Sequence, residues 1–146
     1  MGHAERIEDT QAACVRLLNQ MGLYLRGRAD FAGAKSLFCR ALTIADATYG
    51  ADHPDVAASL NNLGDALYDA GDLAQAMEHF RRPLSIDEEA YGLGHPTVAI
   101  RINNSGCVLR DIGDLAGARE YFQRALDIFR DRLEKATPTQ WMLATT

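Results

Sequence analysis

The sequence predicts an all-α protein built from a repeated helical hairpin, and three observations lead to this prediction. A segment of 42 residues recurs along the chain. Within each copy, apolar residues recur at the 3.6-residue period of an α-helix. Glycine and aspartate return at the same turn positions, where glycine ends one helix and aspartate begins the next.

The 42-residue repeat is an internal duplication. Shifting the sequence by 42 places superimposes residues 50–57 on 92–99 and residues 61–64 on 103–106. Between the two blocks that start at residues 50 and 92, 20 of 42 positions are identical. A more divergent copy lies upstream. We therefore predict three units, at about residues 8–49, 50–91 and 92–136.

Each unit is predicted to contain two amphipathic helices, a helix A followed by a helix B. Helix A of the second unit carries one apolar stripe: Val56, Leu60, Leu63 and Leu67. Helix B carries another: Leu73, Met77, Phe80 and Leu84. The short turn between them contains Gly71 and Asp72, so the two helices are expected to be antiparallel neighbours. By the repeat, Met21 is the counterpart of Leu63 and is expected in the core.

The turn between units is also repeated. Gly50 is expected to end a helix B, and Pro54 to occupy the first turn of the next helix A, where a missing N–H costs nothing. Two departures stand out. Ala29 replaces the turn glycine, and Pro83 lies inside a predicted helix B. We expect that helix to continue with a kink around residues 79–83. Tolerated drift and a functional bend are both open explanations of this proline.

These residues resemble the tetratricopeptide repeat family, in the long-repeat form seen in kinesin light chains. The resemblance covers about residues 12–133 and rests on the Asn-Asn-Leu-Gly and Asp-His-Pro-Asp-Val-Ala segments and on the packing positions, such as Gly64 and Phe80. It implies a right-handed α-solenoid of three antiparallel helix hairpins plus a short C-terminal helix. Residues 137–146 then correspond to a partial fourth helix A or to a capping tail that includes Trp141.

The resemblance also implies a concave groove, lined by the A helices, that receives a peptide. The expected lining residues are Arg16, Asn19, Gln20, Leu23 and Arg26 from the first unit, Asn61, Asn62, Asp65, Tyr68 and Asp69 from the second, and Asn103, Asn104, Cys107, Arg110 and Asp111 from the third. An amide side chain can hold a peptide backbone because it both donates and accepts hydrogen bonds. Alternatively, one amide of each adjacent pair bonds the next A helix. The mixed charges favour a mixed-charge segment over an acidic C-terminus.

Composition narrows the class of partner. The formal charge is -5 and no run of lysine or arginine occurs, so nucleic acid and membrane surfaces are not expected partners. No apolar stretch is long enough to span a bilayer, and no signal peptide is evident, which favours a cytoplasmic location. Cys14, Cys39 and Cys107 are expected to be reduced thiols.

No enzymatic function is predicted. The sequence has no nucleotide-binding or hydrolase motif, and His53 and His95 are interpreted as turn residues, so neither a metal nor a cofactor is expected. The predicted function is that of an interaction scaffold that binds a peptide segment or a partner helix in its groove. The alternative is a self-assembly module that forms a homodimer or larger oligomer through exposed terminal repeats, as the sensor part of a larger regulatory protein.

Overall fold

A computed structural model describes residues 2–136 and shows an all-α fold, as predicted. Successive helices pack as pairs, and no strand occurs among the described residues. The predicted fourth helix or capping tail at residues 137–146 lies outside the described range. The helices are α1 His3–Gly27, α2 Phe31–Tyr49, α3 Pro54–Asp69, α4 Leu73–Tyr91, α5 Pro96–Ile112 and α6 Leu115–Ala136.

The described part of the chain divides into two compact units, called unit 1 (residues 2–86) and unit 2 (residues 87–136). In unit 1, α1 packs on α2, α2 packs on α3, and α1 also contacts α3. These helices, together with Ile86 of α4, share one hydrophobic cluster of buried side chains, whose other members are Val15, Leu18, Ala41, Ala45, Val56, Ala57 and Leu60. In unit 2, α5 packs on α6, and Ala118 and Ala125 are the buried positions of α6.

Each helix pair is held closely by a glycine on helix A and a phenylalanine on helix B. A Cβ atom placed on Gly64 would lie 2.6 Å from Cε1 of Phe80, and one placed on Gly106 would lie 2.8 Å from Cε1 of Phe122. Phe38 approaches Gly22 in the same way. Because no side chain larger than hydrogen fits, these glycines set the distance between the paired helices.

The turns within the hairpins follow the sequence prediction. Gly71 and Gly113 have φ angles of 84° and 103°, in the left-handed region that ends a helix. The aspartate that follows accepts a hydrogen bond from a backbone N–H in the first turn of the next helix; Asp114 Oδ1, for example, lies 2.9 Å from Gly117 N. Ala29 adopts the same conformation, with φ of 63°. It therefore carries the strain that glycine avoids in the other two hairpins.

Two sequence expectations about single residues have different outcomes. Helix α4 does continue through Pro83, which is fully buried. The expectation that Met21 lies in the core is wrong, because its side chain is exposed whereas its counterpart Leu63 is buried. Met21 lies on the surface of α1 that has no neighbouring helix among the described residues.

Candidate functional site

The predicted groove residues of the first two repeats lie on α1 and α3, the two A helices of unit 1. These helices are in contact, and one side-chain hydrogen bond joins them: Asn19 Nδ2 donates to Ser59 Oγ at 3.4 Å. Ser59 is fully buried beneath this bond. The first amide of the Asn19–Gln20 pair thus bonds the next A helix, which is the alternative role weighed for these amides. Gln20 is exposed.

The other polar atom of the Asn19 amide lacks a hydrogen-bond partner among the described residues. This atom, Oδ1, is buried. Whichever way the amide is turned, Ser59 pairs with one of its two polar atoms and leaves the other. Buried polar groups in folded proteins are nearly always paired, so an orphan of this kind needs an explanation.

The Asn19 residue lines a small depression between α1 and α3. The depression has a volume of about 220 Å³. Its lining combines apolar, cationic, amide and acidic side chains: Ala12, Val15, Arg16, Asn19, Asp55 and Ala58. Arg16 is exposed and makes no ion pair within the described part of the chain. Burial raises the pKa of the Tyr49 hydroxyl, and the nearby Asp55 carboxylate adds to that increase.

The other end of the α1–α3 contact is closed by ion pairs. Arg26 Nη1 lies 3.6 Å from Asp65 Oδ2, and Arg26 also forms a two-pronged hydrogen-bonded pair with Asp69. The bond to Asp69 raises the pKa of the Arg26 guanidinium, against burial, which lowers it. A depression of about 300 Å³ lies beside this ion pair, and Leu23 and Gly27 contribute to its lining. Arg26 is therefore already engaged and differs from the exposed Arg16.

The paired amides of the second repeat, Asn61 and Asn62, are not fully exposed to solvent. Asn61 is buried, and its Nδ2 donates to Asp65 Oδ2 at 3.3 Å. Asn62 and Tyr68 are half-buried. Asn61 thus has a structural contact within α3, so its substitution is expected to change stability as well as any binding.

The groove residues predicted in the third repeat belong to α5, in unit 2. Asn103 is exposed, whereas Asn104 and Cys107 are half-buried. Arg110 Nε donates to Asp111 Oδ1 at 3.0 Å, and both side chains are exposed. Their participation in a binding surface stays a prediction.

The sequence reasoning assigned the two repeated histidines to turns but missed what they do there. Nδ1 of His53 accepts a hydrogen bond from Asp55 N at 3.1 Å, and Nδ1 of His95 accepts one from Thr97 N at the same distance. Each imidazole also stacks on the tyrosine four residues earlier, with ring centroids 4.5 Å apart. The histidines therefore cap α3 and α5. The repeated Tyr-x-x-x-His-Pro spacing was the signal that could have revealed this.

Other chemistry is sparse in the described part of the chain. Residues 2–136 contain no group of three or more histidine, cysteine, aspartate or glutamate side chains arranged to hold a metal ion. No helix within these residues is both long enough and apolar enough to cross a membrane. Cys14, Cys39 and Cys107 are free thiols. What the geometry offers between α1 and α3 is two small depressions lined by both polar and apolar residues.

Solved structures with the same fold include two kinds of repeat protein. A kinesin light chain-like protein of Podosopora anserina, with nearly identical TPR-like repeats, is 18% identical over 86% of this chain and 59% of its own, with a TM-score of 0.75. A single-residue variant of that protein is 19% identical over 95% and 62% of the two chains, with a TM-score of 0.74. BtubC (BKLC) of P. vanneervenii is 25% identical over 81% and 47%, with a TM-score of 0.74.

The chain thus spans about half to three-fifths of the length of these solved chains. No curated protein matches it significantly. Profiles described as tetratricopeptide repeat match residues 12–89 and 98–138. Proteins with such repeats are generally scaffolds for protein interactions. Together with the paired helices and the Gly–Phe contacts, these matches show that the chain belongs to the tetratricopeptide repeat family.

Proposed function

We propose that the groove between α1 and α3 binds an extended segment of another protein. The observation that carries this proposal is the buried, unpartnered Oδ1 of Asn19. A backbone N–H of a bound peptide supplies the donor that this oxygen lacks, and it does so for almost any peptide sequence. The amide then links α3, through Ser59, to the ligand backbone.

The charges around Asn19 favour a ligand that carries both signs. Arg16 offers a guanidinium without an ion pair, and the Asp55 carboxylate lies in the lining of the same depression. Arg26 is neutralised by Asp65 and Asp69 and adds no further positive charge. An acidic side chain near Arg16 and a basic or polar one near Asp55 therefore fit the groove. Such charges orient a ligand more than they strengthen its binding.

The ion pairs of Arg26 support binding by fixing the groove before the ligand arrives. They join α1 to α3 at one end of the contact, and the Asn19–Ser59 hydrogen bond joins the same helices further along. A groove held at two points loses little freedom when a peptide enters it. Pre-organisation of this kind contributes to affinity without any additional contact.

The proposed scaffold performs no chemical step and uses no cofactor. We place it in the cytoplasm, because three free thiols are typical of a reducing compartment. The groove of unit 1 is its recognition surface, and the partner is a protein or peptide.

The proposal is tested with a peptide selected from a displayed library of random 12-residue sequences. Asn19→Ala is expected to weaken the selected peptide by about two- to tenfold, the effect of one lost hydrogen bond. Fluorescence anisotropy of the labelled peptide measures this change. Gln75→Ala, which removes an exposed amide from α4, is the matched control and should leave the affinity unchanged.

Stability separates the binding role of Asn19 from a purely structural one. The free Asn19→Ala chain should lose no more than about 1 to 3 kcal/mol in thermal unfolding, because the substitution leaves the buried Ser59 hydroxyl without its partner but also removes the orphan oxygen. A clear loss of stability with unchanged peptide affinity contradicts the proposal. So does a library that yields no peptide binding between α1 and α3.

A second function is favoured by a different observation. Helix α1 exposes large apolar side chains on the face opposite α2, including Leu17 and Met21, and α6 exposes others, including Phe129. Exposed apolar faces mark protein interaction sites. We therefore propose self-association through the terminal helices as the second candidate function.

A further inference from the structure

Helix α1 has an exposed face, here called its outer face, that is as apolar as a surface normally buried between helices. Its side chains Leu17, Met21 and Tyr24 are 60%, 55% and 63% exposed. In the second repeat, the same three positions are occupied by Ser59, Leu63 and Ala66. Those three residues are buried, and they lie on α3, which packs against α2. The face of α1 is thus the one that a preceding helix B covers, and it is more apolar than its covered counterpart.

Helix α6 also presents exposed apolar side chains. Its exposed apolar residues follow one side of the helix: Leu126, Phe129 and Leu133. Shifted by two repeats, they correspond to Leu42, Ala45 and Tyr49 of α2, which belong to or pack against the hydrophobic cluster shared with α3. A shallow depression of about 320 Å³ beside Leu126 and Phe122 offers room for an incoming side chain.

A contact inside unit 2 shows how a helix B and the following helix A meet at this face. Asp87 near the end of α4 accepts a hydrogen bond from Arg101 of α5, with Oδ2 and Nε 2.7 Å apart. The two side chains are 1% and 13% exposed. A charge pair that is so well buried depends on its geometry, and it fixes which positions of the two helices lie together.

The 42-residue shift gives the equivalent pairs elsewhere. One repeat earlier, the positions of Asp87 and Arg101 are held by Ala45 and Ser59, both fully buried. One repeat later, the helix B position is Phe129. The helix A position in the first repeat is Leu17. The pairs are small with small, acid with base, and finally aromatic with aliphatic.

We propose that the α6 face around Phe129 binds the α1 face around Leu17 of a second copy of this chain, in the register of the Asp87–Arg101 pair. We assign the partner as a second copy because the two faces occupy the helix A and helix B positions of the same contact between successive repeats. Apolar residues of one face then meet apolar residues of the other. This inference rests on the second function proposed above and is independent of the groove at Asn19.

The two faces differ, so the contact is head-to-tail. Each copy that binds through α6 leaves its own α1 free to receive another copy. Unless the rotation between copies closes a ring, such contacts continue without a fixed number of members. The interface is a single helix-on-helix contact and belongs to the small, weak class. The mean mass should therefore rise continuously with concentration.

Sedimentation velocity of the full chain, from about 10 μM to about 1 mM, tests this in the range expected of weak interfaces. Leu17→Glu and Phe129→Glu should each reduce the association constant at least about tenfold, since each places a charge at the centre of the contact. Met21→Glu and Leu126→Glu provide a second variant on each face. Leu93→Glu changes an exposed apolar turn residue outside both faces and should associate like the unmodified chain.

Mixing the variants gives the sharpest result. A Leu17→Glu copy retains its α6 face, and a Phe129→Glu copy retains its α1 face. Their mixture should form a 1:1 dimer with twice the monomer mass of 16.0 kDa and nothing larger. Circular dichroism of each variant confirms that the helices are intact.

Four outcomes overturn the inference. A variant pair that fails to form the mixed dimer contradicts the head-to-tail contact, and a single variant that still dimerises with itself indicates a symmetric interface. Self-association unaffected by either substitution rejects this register while leaving the second proposed function in place. If the full chain stays monomeric over the whole concentration range, both this inference and the second proposed function are rejected. The same holds if association is seen only after residues 137–146 have been deleted.

Discussion

The first and second repeats are copies of one hairpin that meet different surroundings. Both place a glycine of helix A against a phenylalanine of helix B, at Gly22 and at Gly64. They differ on the outer face of helix A. Leu63 is buried on α3, which packs against α2, whereas its counterpart Met21 on α1 is exposed. The repeated contacts within a hairpin are thus set by its own sequence, whereas burial of its outer face depends on a neighbour.

The largest expected effect tests this difference directly. Leu63→Ala should lower the free energy of unfolding by about 2 to 5 kcal/mol, because it removes a buried side chain and leaves a cavity. Met21→Ala, at the same position of the first repeat, should change it by less than about 0.5 kcal/mol. Urea unfolding followed by circular dichroism measures both. Equal losses would show that Met21 is also covered.

The contact that the two repeats share should respond equally in both. Gly64→Ala and Gly22→Ala each force a methyl group against a phenylalanine ring and should cost about 1 to 3 kcal/mol. Gly27→Ala is the control in α1, because a Cβ there meets no atom within 4 Å. It should be neutral or stabilising by up to about 1 kcal/mol. A neutral Gly22→Ala chain would mean that α1 and α2 are not closely packed.

The turn residue gives the smallest effect and the opposite sign. Ala29→Gly should stabilise the chain by about 1 kcal/mol, since it relieves a left-handed backbone conformation. Gly71→Ala, at the same position of the second repeat, should destabilise it by a similar amount. Differential scanning calorimetry of the two variants measures the shifts. If Ala29→Gly lowers the melting temperature, the first turn does not carry the strain inferred from its φ angle.

Much of the fold could be predicted from the sequence, because its elements depend on local patterns. The helical period, the Gly71–Asp72 turn and the proline at the start of α3 each involve neighbouring residues. Duplication strengthened each prediction by repeating it. Met21 shows where this reasoning fails: an apolar position identifies the side of a helix, but only a packed neighbour makes that side part of a core.

The candidate site was less predictable, because its contacts join residues far apart in sequence. Arg26 is separated by about 40 residues from Asp65 and Asp69, and only the placement of α1 beside α3 brings them together. The sequence left two roles open for the Asn19–Gln20 pair. The structure assigns the hydrogen bond to the next A helix to Asn19, and it reveals an unpaired oxygen that no sequence pattern indicates.

The central functional claim is that Asn19 Oδ1 receives the backbone of a bound peptide. A crystal structure of the chain with the library-selected peptide tests it most directly, through the distance between Oδ1 and the nearest peptide nitrogen. The account predicts a peptide N–H donor about 2.7 to 3.2 Å from this oxygen, in the groove between α1 and α3. A peptide bound on another surface, with Asn19 Oδ1 still unpaired, would contradict it.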